Sequence, residues 1–342
     1  MNHHADWGPE RDALLGRRIS ELGLRIEGSP VQGLVEELHR ELDERGLAFK
    51  PPVYLSDEWG CPDGVPLIGV PFYLADRRLS RLEEEYAVEV EGEADAIKFL
   101  RHEAGHAFNY AYRLYERPDW RRVFGPYSRP YRERFRVDPY SRDYVRHILG
   151  WYAQKHPDED FAETFAVWLT PGLDWRARYR GWPALAKLEY VDAVMRDIGR
   201  TPPPVHAEPL PDYLPVEAMQ YTVGEHYTGW NEHLPADAEV FDADLQNIFA
   251  TAEQAPDAER AAEFLRSHRR ELVRRIAYWT GEATTVVRSL IDQLTERARV
   301  LDLRVHGLEA STLIELTAFG TAVIMNFRYT DALDGRSWKE TP

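Results

Sequence analysis

Apolar residues recur every third or fourth position over residues 12–26 (Leu14, Leu15, Ile19, Leu22) and 31–47 (Val31, Leu34, Val35, Leu38, Leu42). That spacing lines one face of a helix, and Gly28, Ser29 and Pro30 punctuate between the runs, so the chain is expected to open with a helical pair. Two short segments rich in Val, Ile, Phe and Tyr follow, residues 53–55 and 66–74, set off by Pro51, Pro52 and the turn-like Cys61-Pro62-Asp63-Gly64. They read as strands of a small sheet. The helical period returns over residues 93–115, with Ile97, Leu100, Ala104, Phe108 and Ala111 on one stripe. Further helices are predicted at 142–154, 157–169 and 184–198, the second opening on a proline, which a first helical turn tolerates.

Pro202, Pro203, Pro204, Pro209, Pro211 and Pro215 then crowd one stretch that reads as a linker. Beyond it, residues 238–251, 257–279, 282–305 and 308–327 again show helical spacing. The expected organisation is an α+β domain with a small sheet over residues 1–200, a proline-rich linker over 201–235 and an all-helical domain of unassigned role over 236–342. The apolar run 312–327 is broken by Glu315 and falls short of the roughly 20 residues a membrane-spanning helix needs, so it is read as a buried helix.

Composition narrows the partners. Lys plus Arg number 42 against 58 Asp plus Glu, a net charge of −16 that repels a phosphate backbone, so nucleic acid is not expected as a partner. Ten Trp and 18 Tyr among 342 residues supply ample core material. Cys61 is the one cysteine, which excludes an intrachain disulfide, and Met1 to Arg11 carry no apolar stretch of signal-peptide length. A cytoplasmic chain with no membrane partner is expected; composition does not address its oligomeric state.

The chemistry gathers in the helix at 93–115. His102-Glu103-Ala104-Gly105-His106 places two imidazoles one turn apart on one face, where both can reach a single tetrahedral metal ion. Glu103 beside them can take a proton from a water attacking a carbonyl and return it to the leaving amine. With 12 His and 58 Asp plus Glu in 342 residues, chance would supply fewer than about 0.07 such motifs. Gly105 inside a helix costs about 1 kcal/mol against Ala unless close packing demands it. A catalytic zinc wants a third protein ligand, and Glu159 and Glu163, four apart on the next helix, offer two. One can bind metal while the other orients a histidine, and spacing does not say which. The competing reading is an acidic first turn, Asp158 to Asp160, solvated and complementing the helix dipole.

The run from about residue 69 to residue 199 resembles a family of bacterial zinc-binding metallopeptidases. The resemblance rests on Gly69-Val70-Pro71-Phe72-Tyr73-Leu74-Ala75, on Leu100-Arg101-His102-Glu103-Ala104-Gly105-His106, and on His156-Pro157-Asp158-Glu159-Asp160-Phe161-Ala162-Glu163-Thr164-Phe165-Ala166. In motif order the run is also similar to the lethal-factor-like zincins, in which a tyrosine stands seven residues before a glutamate ligand, as Tyr152 stands before Glu159. The resemblance implies a zincin-like domain with His102, His106 and Glu159 as Zn2+ ligands, Glu103 as general base and Tyr152 as donor to the oxyanion. It places Glu163 behind the ligands, on a histidine, and implies a peptide or protein substrate. It does not cover the residues before 47 or after the proline-rich stretch.

Two other readings share these residues: a non-catalytic interaction protein whose zinc is closed by a fourth ligand, and a zinc hydrolase of a non-peptide amide. The arginines between Arg117 and Arg146, interleaved with Tyr127, Tyr131, Tyr140 and Tyr144, read first as a solvated face and second as a cleft wall. Cys61 reads as structural and His156 as a helix cap; His3 and His4 need no role, and His206, His226 and His233 have no helix-face spacing for a metal.

Overall fold

Local signals set the helices that matter. Ser29 caps the helix Pro30–Glu44 (α2) by accepting the Val31 N–H, and Pro30 fills the first turn. Val31, Leu34, Leu38 and Leu42 on its inner face are buried. Glu93–Ala111 (α4) opens with Glu93 and Asp95 against the positive end of its dipole and is buried from Leu100 to Ala111. Pro157–Leu169 (α6) is capped by His156, whose side chain accepts the Asp158 N–H, and every one of its residues is buried. A helix apolar only in part but buried all round must pair each polar group it carries.

The computed structural model describes residues 7–86, 92–132, 135, 137–148, 150–207, 215–228 and 238–330. His3, His4 and His233 lie outside them. The described elements are mostly helical with two small sheets, an α+β composition. Contacts divide them into one unit within Met1–Leu82 and Val90–His226 and a second within Glu83–Glu89 and Tyr227–Pro342.

In the first unit, Trp7–Leu15 (α1), α2, α4, Pro118–Phe124 (α5), α6, Trp175–Arg178 (α7) and Ala184–Ile198 (α8) follow in order, while Arg77–Tyr86 (α3) and Val223–Thr228 (α9) each run across its bounds. Val53–Ser56 (β1) pairs in parallel with Ile68–Pro71 (β2), in the register Val53 to Ile68 and Ser56 to Pro71. Gly60 bridges Gly69 from the other side in antiparallel sense, so the sheet is mixed. The strand expected over 66–74 stops at Pro71, and Phe72–Ala75 turns into a 3-10 helix. α2 is tied to α4 by a buried two-pronged pair, Arg101 Nε to Glu41 Oε2 at 2.7 Å and Nη2 to Oε1 at 2.5 Å.

Residues 142–154 do not form the expected helix. The described ones among them are irregular except for one 3-10 turn, Tyr152–Gln154. Gly150 (φ 78°) and Trp151 (φ 56°) are both left-handed, which interrupts a right-handed helix. The N–H groups of His147 and Ile148 go instead to Glu163 Oε2, at 3.2 and 2.9 Å. Part of the proline-rich stretch is built into this unit: Val216, Met219 and Val223 are buried, and Ile19 N–H donates to Tyr221 O at 3.1 Å.

In the second unit, Asp242–Ile248 (α10), Ala261–Ser267 (α11), Arg269–Thr280 (α12), Thr284–Val300 (α13) and Glu309–Thr330 (α14) enclose a core that includes Leu245, Phe264, Ile276, Leu290, Ile291 and Leu316. It is not purely helical, because Ala250–Thr251 (β3) pairs antiparallel with Leu303–Arg304 (β4). The helix expected over 257–279 is broken at His268. α14 buries a stripe of Thr312, Leu316, Ile324 and Phe327 and leaves Ile314 exposed, so it is covered on one side and not all round. By length and composition its residues Glu309–Phe327 are also apolar enough to cross a membrane; 28% of the most apolar window is buried in the fold.

Candidate metal centre

The site forms where α4 crosses α6. Gly105 makes the crossing close: a Cβ there would stand 2.7 Å from Ala162 Cα and 3.0 Å from the Ala162 carbonyl oxygen. His102 and His106, one turn apart on α4, therefore meet the first two turns of α6, which present Asp158, Glu159 and Glu163.

Glu159 Oε2 lies 3.0 Å from His102 Nε2 and 3.2 Å from His106 Nε2, and the two Nε2 atoms are 3.1 Å apart. Each imidazole is held from behind. His102 Nδ1 lies 2.9 Å from Glu163 Oε1, and His106 Nδ1 lies 2.9 Å from Asp158 Oδ2. A ring that donates Nδ1–H to a carboxylate turns the Nε2 lone pair forward. In that state two lone pairs and one carboxylate oxygen converge on one point, an arrangement that a bound metal ion makes favourable; without one, protons on the ring nitrogens take its place. Zinc bonds of about 2.0–2.1 Å in a tetrahedron set donors roughly 3.3 Å apart. The three edges of 3.0, 3.1 and 3.2 Å fit that ion with small adjustment. Among the described residues, His102, His106 and Glu159 are the group able to hold a metal.

Charge follows the geometry. Burial alone lowers the His102 imidazole, but hydrogen bonds to Glu159 and Glu163 outweigh it and raise the group to about 9. His106 is likewise raised against its burial, by the charges of Asp158 and Glu159. Burial would lift the Glu159 carboxyl, yet the charge of His106 and hydrogen bonds from both rings hold it well below the usual carboxylate range. Glu103 differs: burial pushes its carboxyl up, with the two histidines opposing. It lines a cleft of about 490 Å³ together with His102, His106, Glu159, Tyr152, Trp59 and Cys61, among others.

Sequence spacing left Glu159 and Glu163 interchangeable. In the structure they meet opposite nitrogens of the same ring, Glu159 at Nε2 and Glu163 at Nδ1. The solvated acidic turn is not what forms, because Asp158, Glu159 and Asp160 are all buried. Asp160 takes Lys187 Nζ at 2.6 Å, and burial raises its carboxyl to about 7 against that lysine. Asp158 was missed as a functional candidate. Besides His106 it accepts Asn109 Nδ2 and Tyr110 Oη, both at 2.6 Å. The available signal was on α4, where Asn109 and Tyr110 follow His106 at positions that a buried helix would otherwise fill with apolar residues.

Tyr152 sits on the 3-10 turn before α6, its ring 5.7 Å from that of His102. Tyr131 is beside it, with phenol oxygens 3.4 Å apart, and donates to Glu159 Oε1 at 2.5 Å. Lys155 Nζ lies over both rings, 4.4 Å from Tyr131 and 5.1 Å from Tyr152. Arg129 of the basic stretch reaches the cleft, whereas Arg146 packs against Trp151 and Trp182. The Cys61 thiol donates to Val65 O at 3.1 Å, and burial followed by the charge of Glu103 pushes it well up, away from a nucleophilic thiolate. His226 packs against Phe72.

Neither a curated protein nor a solved structure matches the chain. Residues 89–172, the segment that contains both α4 and α6, match the model of the family described as "Putative zinc-binding metallo-peptidase".

Proposed function

We propose that the chain is a zinc-dependent peptidase. The observation that carries the reading is the convergence of His102 Nε2, His106 Nε2 and Glu159 Oε2 on one point, with Glu103 on the cleft side of the same centre. His102, His106 and Glu159 would hold the ion; Zn2+ supplies a Lewis acid that polarises a scissile carbonyl and acidifies water near neutral pH. Glu103 takes the proton of the attacking water and passes it to the leaving amine. A carboxyl lifted by burial is suited to both halves of that transfer. Tyr152, with its phenol in the cleft, donates to the oxyanion as the carbonyl becomes tetrahedral. Glu163 and Asp158 keep both rings in the Nδ1–H tautomer.

A closed structural site would need a fourth protein ligand. The leading candidate, Glu163, is committed to His102 Nδ1 and to two backbone N–H groups, which favours the hydrolytic reading. A peptide or protein in the cytoplasm is the proposed substrate; a non-peptide amide would use the same residues and is separated by substrate profiling.

The test is metal content by mass spectrometry together with cleavage of a broad fluorogenic peptide library. We expect one zinc per chain, lost in Glu159→Ala and retained in Glu103→Gln, with cleavage abolished in both. A zinc-loaded protein that cleaves no peptide, and behaves identically as Glu103→Gln, overturns the peptidase reading.

A further inference from the structure

The tyrosine that touches the metal-facing glutamate is not the one the motif pointed to. Glu159 has two oxygens with separate duties. Oε2 faces His102 and His106 at 3.0 and 3.2 Å, while Oε1 receives the Tyr131 hydroxyl at 2.5 Å. A hydrogen bond this short to a carboxylate is of the strong, charge-assisted kind.

Tyr131 is held in place although it lies in irregular chain. His156 Nε2–H donates to Arg129 O at 2.8 Å, two residues before it. Downstream, the Gln154 side chain clips Asp138 twice, accepting its N–H and donating to its carbonyl, both at 2.8 Å. Arg129 and Asp138, on either side of Tyr131, are thus each fastened to the turn and cap that lead into α6, the helix of Glu159. The ring is half-exposed while its hydroxyl points inward, as expected for a group placed for its polar end and not for core packing.

A carboxylate with both oxygens available can bind a cation through one or two of them, and two-point binding occupies the position a catalytic centre must leave open. We propose that Tyr131 is a positioning residue that engages Oε1 of Glu159, restricts that carboxylate to one-point attachment through Oε2, and thereby keeps a position open for substrate. The inference rests on the zinc-peptidase reading and deepens it. It also divides the work of the two phenols: Tyr131 serves the ligand, and Tyr152, 3.4 Å away, serves the substrate.

The test uses the full chain loaded with cobalt(II), whose visible d–d absorption reports coordination number. Tyr131→Phe removes only the hydroxyl. It should bind one cobalt per chain with markedly weaker visible absorption, the mark of an added ligand atom. On whichever library peptide the wild type cleaves, its kcat should fall about 10-fold to 100-fold, as removal of a supporting hydrogen bond at a metal ligand does, with KM little changed. Tyr152→Phe should lower kcat and leave the cobalt spectrum as in the wild type. Circular dichroism confirms folding, and Tyr131→Leu gives a second hydroxyl-free variant. Cobalt spectra of Tyr131→Phe and Tyr131→Leu that superimpose on the wild type overturn the role of Tyr131 alone. A wild type that takes up neither cobalt nor zinc overturns the metal reading beneath it as well.

Discussion

Replacing Gly105 with Ala sets two effects of similar size against each other, and the structure decides the outcome. Alanine in a helix interior is favoured over glycine by about 1 kcal/mol. Against that gain, the new methyl would lie 2.7 Å from Ala162 Cα and 3.0 Å from its carbonyl oxygen, where ordinary contact begins at 3.4 Å. Both neighbours are backbone, so neither can rotate aside, and α6 must retreat from α4 by several tenths of an ångström. Overpacking of this kind costs about 1–3 kcal/mol, so the net loss of stability is up to about 2 kcal/mol. The larger consequence falls on the metal. His102 and His106 ride on α4, whereas Glu159, Glu163 and Asp158 ride on α6, so both distances from Glu159 to the rings and both supporting bonds lengthen together. Zinc affinity should drop about 10-fold to 100-fold, comparable with losing one supporting partner. Urea unfolding of the metal-free protein measures the first effect, and competition for zinc with a chromophoric chelator measures the second. A variant with a raised urea midpoint and an unchanged zinc Kd would refute the reasoning, because the crossing would then be soft enough to absorb a methyl without disturbing the donors.

Other perturbations have equally definite outcomes. Glu163→Gln keeps the shape but replaces an acceptor of three N–H groups by an amide with one oxygen; zinc affinity should fall about 10-fold to 100-fold, read by the same competition assay. Asp158→Asn should weaken zinc by a similar factor, and an unchanged Kd would show that His106 keeps its orientation without that carboxylate. Glu41→Gln leaves the Arg101 guanidinium buried without its two-pronged partner, at a cost of about 3–5 kcal/mol in urea unfolding. Asp192 accepts the Trp168 indole N–H at 3.0 Å and an Arg176 nitrogen at 2.7 Å, and although burial opposes it these partners lower its carboxyl below the usual value. A lowered carboxyl stabilises the fold above its unfolded pKa and loses that contribution as pH falls through the folded one. Asp192→Asn should therefore cost about 1 kcal/mol at pH 7, and its melting curve should converge on the wild type as pH drops below about 3.9, the ordinary aspartate value.

What the sequence revealed, and what it hid, follows from how far each signal reaches along the chain. The spacing of His102 and His106 is set within one turn of one helix, so it was legible, as was the i,i+4 relation of Glu159 and Glu163. The choice between those glutamates depends on which face of the His102 ring each one meets, a fact about two helices and not one. Gly105 was the trace of that second helix: a costly residue in a helix interior announces a close neighbour, and the neighbour is Ala162. Asp158 looked like one more acid in a solvated first turn because its partners, Asn109 and Tyr110, stand 49 and 48 residues earlier. Residues 142–154 carried helical spacing, yet the left-handed pair Gly150 and Trp151 and the pull of Glu163 on two N–H groups outweighed local preference. Tyr131 had no periodic signal at all, because it lies outside any helix or strand, between Arg129 and Asp138, which His156 and Gln154 hold through their side chains. The residues that periodicity exposes are those that would hold the ion; those it hides, Asp158 and Tyr131, touch His106 and Glu159 across sequence gaps that only folding closes. A search for further parts of such a centre should therefore begin from polar residues buried without a reason in their own helix, and then ask what they hold.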